Sequence, residues 1–252
     1  MKEDENIAFI PRIYIASDRI ENGKAFIDGS DANHILRVLR KVKGDSLHVC
    51  DMHGNSYKAI IDEITPDGLY AILGEAEKND NEMPFRVSVY QCIPKGDKLD
   101  TVIQKAVELG AYEIVAVMSE RCVARPDAKT FAKRLERLSK ISESAAAQCG
   151  RNIIPQVRGI IDYDTAIKEI SEKDIGFVCY EGDGTLPIKD ILKDTPETIG
   201  FLIGPEGGLS EKETASARNN NIALAGLGKR ILRTETASGY VLSAISVLLE
   251  MQ

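Results

Sequence analysis

The chain has 252 residues, enough for one or two domains and enough to bury roughly 70–75% of its unfolded surface without a covalent or metal staple. Hydrophobic residues at 43% and charged residues at 28% exclude intrinsic disorder, collagen-like repeats and coiled coils, and no window of about 18 apolar residues reads as a membrane span. The net charge of −7, taken alone, counts against a nucleic-acid partner.

Residues 1–6 are acidic and no apolar stretch follows them, which argues against a secretory leader and predicts a cytoplasmic protein. From residue 13 to about residue 76 the pattern is strand-like, with short runs at 46–50, 57–61 and 68–73. Turn signals at 51–55 and at Pro66-Asp67-Gly68 separate these runs. This predicts a small β-barrel or sandwich over 1–76 with one helix at 31–39, capped by Asp31 or by Asn33. A polar, proline-terminated stretch at 77–84 is the expected linker.

The texture then changes to alternating strands and helices across 85–252. A strand is predicted at 87–92, and Leu99, Val102, Ile103, Ala106 and Val107 form one apolar helix face that Gly110 ends. A strand at 114–117 and a long helix at 131–148 follow. Apolar runs at 175–180 and 199–203 suit a sheet buried on both faces, and helices are expected at 211–219 and 236–251. The alternation predicts an open, mostly parallel sheet with ligands at the carboxyl ends of its strands.

Charge is unevenly spread. Between Arg121 and Arg158 nine Lys or Arg face three acids, a local +6 that leaves −13 on the rest, and residues 34–43 carry four cations and no acid. Such clusters often mark only a solvated helix face, yet two of them in an acidic chain suit a ligand that touches defined patches, such as a folded RNA. Cys50, Cys92, Cys122, Cys149 and Cys179 are odd in number, scattered and free of any CxxC pair, so they read as reduced thiols. His34, His48 and His53 match no metal motif, and nothing in the sequence requires a metal.

Two glycine-containing loops carry the chemistry. The run at 199–203 leads into Gly204-Pro205-Glu206-Gly207-Gly208-Leu209-Ser210 and then a helix, where missing side chains let a ligand approach the backbone. A tight turn would use the same residues. Leu227-Gly228-Lys229-Arg230-Ile231-Leu232-Arg233-Thr234-Glu235-Thr236-Ala237 precedes a helix of small residues, with Thr234 or Thr236 as its expected cap. No Walker motif is present, and Ile231 stands where a dinucleotide fingerprint needs its last glycine, which counts against ATP and NAD.

These blocks resemble the RsmE-type 16S rRNA uracil-N3 methyltransferases of the SPOUT superfamily. The resemblance rests also on Pro11-Arg12-Ile13-Tyr14, on residues 34–40, on Lys95-Gly96-Asp97-Lys98 through Gly110, on Ser119-Glu120-Arg121-Cys122 and on Gln148-Cys149-Gly150-Arg151. It implies an α/β chain with a small N-terminal PUA-like RNA-binding β-barrel. The C-terminal SPOUT-type domain would be a trefoil-knotted, mostly parallel sheet with helices on both faces. It further implies S-adenosylmethionine bound by Leu202, Ile203, Gly204, Gly207, Leu227, Gly228, Ile231, Leu232, Arg233, Thr234 and Ala237, and a homodimer contacted near the last helix. The implied substrate is 16S rRNA in the small ribosomal subunit.

Transfer of a methyl group from a sulfonium to a uracil imide nitrogen is an in-line displacement that positioning and a dry pocket favour. The imide must lose its proton or have its anion stabilised. Arg233 is the expected stabiliser and Glu206 or Glu235 the expected proton acceptor. Arg12, Arg37, Arg40 and Lys41 on the first domain, with Arg121 and Arg151 on the second, are expected to meet RNA phosphates. The competing readings are a non-catalytic RNA-binding or assembly protein on the same fold and an α/β enzyme using Gly204 to Gly208 for a nucleotide phosphate.

Overall fold

The computed structural model describes residues 10–78, 81–193 and 195–251. Residues 1–6, read as an acidic start, and Asn79 and Asp80 of the expected linker lie outside them. The described residues form two compact units, one of residues before Met83 together with Ala146–Ile154, the other of Met83–Ala145 and the residues from Pro155 onward. The expected division at 77–84 is therefore not a single cut of the chain. Residues 146–154 join the first unit through polar contacts. The Tyr14 hydroxyl donates to the Arg151 carbonyl at 2.8 Å, the Arg12 guanidinium to Asn152 Oδ1 at 2.5 Å, and the Asn152 amide side chain to the Gly54 carbonyl at 2.9 Å.

The first unit contains β1 (Arg12–Tyr14), β2 (Ile20–Glu21), β3 (Lys24–Asp28), α1 (Gly29–Asn33), β4 (Ser46–Cys50), β5 (Asn55–Thr65) and β6 (Gly68–Lys78). They form one six-stranded sheet in the order β1-β4-β5-β6-β3-β2, antiparallel except for the β1–β4 pair. Two register irregularities between β5 and β6 bend the long hairpin so that its inner face wraps a core. That core takes alternate residues, such as Ala59 and Ile61, Leu69 and Ala71, together with Ala32 and Ile35 from the helical segment. β6 runs through the first residues assigned to the linker. The helix expected at 31–39 is instead a single turn, α1, continued by a π-type turn His34–Val38 and ended by Arg40 at φ 54°. Its N-cap is Asp28, not Asp31 or Asn33, because the turn begins at Gly29, two residues before the expected start.

The second unit contains β7 (Arg86–Cys92), α2 (Lys98–Glu108), β8 (Glu113–Met118), α3 (Ala128–Cys149), β9 (Gln156–Asp162), α4 (Tyr163–Ser171), β10 (Ile175–Cys179), β11 (Leu186–Pro187), α5 (Ile188–Ile191), β12 (Thr198–Ile203), α6 (Glu211–Asn219), β13 (Ala223–Gly226) and α7 (Thr234–Ile245), followed by a π-type turn Ser246–Glu250; the last turn of α3 is counted with the first unit. The seven strands are all parallel, in the order β11-β13-β10-β12-β7-β8-β9. The central strands are apolar on both faces, as burial under helices requires, and the α2 face from Leu99 to Val107 is buried as its spacing predicts. β9, α4, β11, α5 and β13 are additions to the sequence reading. Among the described residues no helix is long and apolar enough to cross a membrane.

The chain order places the site. β8 and β9 are added on one side of β7, whereas β12, β10, β13 and β11 lie on the other, with β12 inserted between β10 and β7. An order reversal of this kind leaves a crevice at the carboxyl ends of the strands that flank it.

Candidate active site

The neighbouring strands β12, β10 and β13 all end at the same edge of the sheet, and each runs into a glycine-containing segment. Between those segments lies a cavity of about 410 Å³, within the range of small-molecule sites. Ile203, Leu209, Leu227, Leu232 and Ala237 give it an apolar lining, and Gly204, Gly208, Gly226 and Gly228 bring backbone to its wall. Two of these glycines sit where a side chain would force a neighbour to move. At Gly208 φ is +67° and a Cβ would fall 2.8 Å from Glu181 Oε1, while at Gly226 a Cβ would fall 2.8 Å from Thr185 Oγ1.

Of the residues expected to hold the cofactor, Ile203, Gly204, Leu227, Gly228, Ile231, Leu232, Arg233, Thr234 and Ala237 line this cavity. Leu202 and Gly207 do not. Leu202 is wholly buried within the sheet, in register with Val178 and Tyr90. Gly207 backs onto Arg121, whose guanidinium donates to the Gly207 carbonyl at 3.1 Å, and a Cβ at Gly207 would press on the Arg121 Cβ at 3.2 Å. The cavity also takes Lys98 from the start of α2 and Tyr180, Glu181 and Thr185 after β10. The run Tyr180-Glu181-Gly182-Asp183-Gly184-Thr185 behind an apolar strand is the signal that could have found the last three.

The two glycine loops are tied together by Thr234. Its hydroxyl donates to the Gly204 carbonyl at 2.7 Å and accepts from the Gln91 side-chain amide at 2.8 Å. Neither Thr234 nor Thr236 caps α7: the N-cap position is Arg233, and the Thr234 hydroxyl is turned toward Gly204 instead. α6 is held by a capping box in which Glu213 accepts from the Ser210 amide at 2.8 Å and the Ser210 hydroxyl accepts from the Glu213 amide at 3.3 Å.

Charge at the cavity is asymmetric. Glu206 accepts from Lys98 Nζ at 2.8 Å and from the Lys95 amide at 3.2 Å. Burial alone would push its carboxyl up, but Lys98 and the backbone amides together hold it below the usual carboxylate range. Glu235 lies 3.7 Å from Lys98 and 4.0 Å from Arg233, and its buried Oε2 finds no hydrogen-bond partner among the described residues. The Arg233 side chain is 82% exposed, so its guanidinium is free to meet an incoming group.

Of the residues expected to meet RNA, Arg37 and Arg40 are exposed and Lys41 is half-buried after α1, and Arg121 is exposed beside the glycine loop. Arg12 is half-buried and bonded to Asn152. Arg151 is placed differently. It is 4% exposed, and its guanidinium is held by Glu82 through Nε at 2.9 Å and Nη2 at 2.5 Å, so it serves the fold of the first unit. Lys229 and Arg230, which sequence reasoning passed over, are exposed on the second loop, and Arg230 reaches the cavity.

A family model for an RNA methyltransferase domain matches residues 81–246, and one for an RNA methyltransferase PUA domain matches residues 27–74. Ribosomal RNA small subunit methyltransferase E of Bacillus subtilis (strain 168) is 34% identical over 246 residues, which span 95% of this chain and 96% of that relative. The chain belongs to the RsmE-type methyltransferase family. A crystal structure of a family member, the ribosomal RNA small subunit methyltransferase E from Neisseria gonorrhoeae bound to S-adenosyl methionine, superposes with a TM-score of 0.84 at 32% identity, covering 96% of this chain and 98% of the other. The expected SPOUT-type parallel sheet with a PUA-like N-terminal domain is thus the fold of this RsmE-type chain.

Proposed function

We propose that this protein is a methyltransferase that uses S-adenosylmethionine to methylate the N3 atom of a specific uridine in 16S rRNA of the small ribosomal subunit, working as a cytoplasmic homodimer. The observation that carries the reading is the cavity at the carboxyl ends of β12, β10 and β13, lined by nine of the eleven residues that the family resemblance marks for the cofactor. The residues present fit a nucleoside with a zwitterionic side chain. Apolar side chains and bare glycine backbone suit a flat base, and Lys98, Glu206 and Glu181 supply both signs of charge at the cavity wall.

When bound, the cofactor supplies an electrophilic methyl group on a sulfonium. The chain's part is to exclude water, orient the uracil and manage its imide proton. Arg233 is the cation assigned to the developing imide anion. Of the two carboxylates named above, Glu235 is assigned as the proton acceptor because its contacts with Lys98 at 3.7 Å and Arg233 at 4.0 Å are loose, whereas Lys98 and the Lys95 amide hydrogen-bond to Glu206 and leave it the task of anchoring the glycine loop. Arg37, Arg40 and Lys41 on the first unit, with Arg121 and Arg230 on the second, are assigned to RNA phosphates. The imide edge is consumed in a base pair, so the target must be unpaired or flipped. Exposed Thr236, Tyr240, Ser243 and Val247, spaced along α7 and the turn beyond it, support a contact with a second copy of the chain.

The test is transfer of labelled methyl from S-adenosylmethionine to small ribosomal subunits that lack the modification, followed by mass spectrometry of the nucleosides. The reading expects N3-methyluridine at one position. Label in another nucleoside would overturn the specificity, and no transfer would overturn the activity.

A further inference from the structure

Gln91 is a fully buried amide near the end of β7, in register with Ile203 on one side and Ala116 on the other. Its sheet neighbours are apolar, and its Oε1 has no hydrogen-bond partner among the described residues. A leucine would pack there without leaving a polar atom unsatisfied, so the amide has a cost that its other atom must offset.

That other atom has a fixed direction. Gln91 Nε2 lies 3.0 Å from the Cys92 carbonyl and 2.8 Å from Thr234 Oγ1. A carbonyl only accepts, so the atom facing Cys92 has to be the amide nitrogen, and the amide cannot be flipped. Thr234 Oγ1 then accepts from Gln91, and the single hydroxyl proton of Thr234 is left for the Gly204 carbonyl at 2.7 Å. The chain of donors therefore runs one way, from the core strand β7 through the start of α7 to the end of β12, across 143 residues of sequence and then 30. Gly204 and Thr234 both line the cavity, whereas Gln91 lies behind it.

We infer that Gln91 is a positioning residue that, through the Thr234 hydroxyl, fixes the Gly204 carbonyl and so holds both glycine loops in the geometry that receives the cofactor. The inference rests on the cofactor reading given above. It differs from a packing role in one respect: the direction of the donor matters as well as the volume filled. Gln91→Glu keeps the volume but, when ionised, only accepts. The Thr234 proton would then turn toward the introduced carboxylate and release Gly204. Burial pushes such a carboxyl up, and once protonated it is again a donor.

The experiment is calorimetric titration of the full chain with S-adenosylhomocysteine, on wild type, Gln91→Leu, Gln91→Glu, Thr234→Val and Thr234→Ser, from pH 5.5 to 8.5, with thermal unfolding recorded for each. Gln91→Leu and Thr234→Val are each expected to weaken binding about tenfold, the loss of one orienting hydrogen bond, and a double variant carrying both, titrated alongside, to be no weaker than the worse single one. Thr234→Ser, which keeps the hydroxyl, should bind within about twofold of wild type. Gln91→Glu should be weak at pH 8.5 and recover as the pH falls, with no such recovery in Gln91→Leu. Wild-type affinity in both Gln91→Leu and Thr234→Val, or additive losses in the double variant, would overturn the relay. If the Gln91 variants do not fold, the contrast between Thr234→Val and Thr234→Ser decides. A wild type that does not bind S-adenosylhomocysteine overturns the cofactor reading itself and this inference with it.

Discussion

The two ends of the parallel sheet treat their polar residues in opposite ways. Toward the amino end, Glu113 is nearly buried and accepts from Ser88 at 2.7 Å; Arg158 meets Glu169 at 2.8 Å through both terminal nitrogens, and the Tyr90 hydroxyl donates to Glu169 at 2.9 Å. Lys173, 3.9 Å from Glu113, completes a cluster in which each charge has a counter-charge. At the carboxyl end Glu235 Oε2 makes no hydrogen bond among the described residues and has only Lys98 at 3.7 Å, Arg233 stands in solvent, and glycines hold the backbone open around a cavity. Polar groups answered from within the chain serve the fold, and groups left unanswered beside a cavity are the ones available to a ligand.

The largest expected effect breaks the open end only. Arg233→Ala should lower single-turnover methyl transfer about 100-fold, the scale of one lost transition-state donor. The melting temperature should stay the same. A turnover near wild type would remove Arg233 from the chemistry. At the closed end, Glu169→Ala should lower the unfolding free energy by about 2 kcal/mol in urea titrations, less than a fully buried pair because both partners retain some exposure, and leave S-adenosylhomocysteine affinity unchanged.

That cluster also has a pH signature. The hydrogen bond from Arg158 holds the Glu169 carboxyl below its ordinary range. Its stabilisation is therefore complete above the unfolded-state value near pH 4.3 and is lost as pH falls through the lower folded value. The stability difference between wild type and Glu169→Gln should be flat from pH 6 to 8 and shrink below about pH 4.

A third contrast separates arginines that the sequence presents alike. Arg37→Glu combined with Arg40→Glu should weaken RNA binding about tenfold at low salt, with the deficit closing as salt rises and no change in melting. Arg151→Ala should do the reverse, lowering the melting temperature because Glu82 loses its cationic partner, with RNA affinity of the folded protein unchanged. The smallest effect is expected at Gly207→Ala, where the added methyl meets Arg121 and not the cavity. S-adenosylhomocysteine affinity should stay within about threefold of wild type, and a larger loss would put Gly207 back in the pocket.

Much of this was legible in the sequence because periodicity and loop grammar are local. The α2 face, the apolar strands at 175–179 and 198–203 and the helix Glu211–Asn219 follow from spacing, and the first glycine loop stands at the end of a strand as its composition predicts. β9 escaped because Arg158 and Gly159 interrupt its apolar run, and β13 because Ala-Leu-Ala-Gly is short and weakly strand-forming. The pairing of 146–154 with the first unit, the burial of Arg151 and the turn of Thr234 toward Gly204 depend on partners 30 to 140 residues away. Gln91 carried no local signal, since one amide in an apolar strand looks like noise until its bond to Thr234 is known.

The account stands most directly on whether the cavity at the carboxyl ends of β12, β10 and β13 takes the cofactor. Calorimetric titration of the wild-type protein with S-adenosylhomocysteine, with ATP and NAD in parallel, measures this in one experiment. Saturable binding of S-adenosylhomocysteine with a one-to-one stoichiometry per chain, and none of ATP or NAD, is the predicted result. Binding of ATP or NAD in its place, or of none of the three, would contradict it.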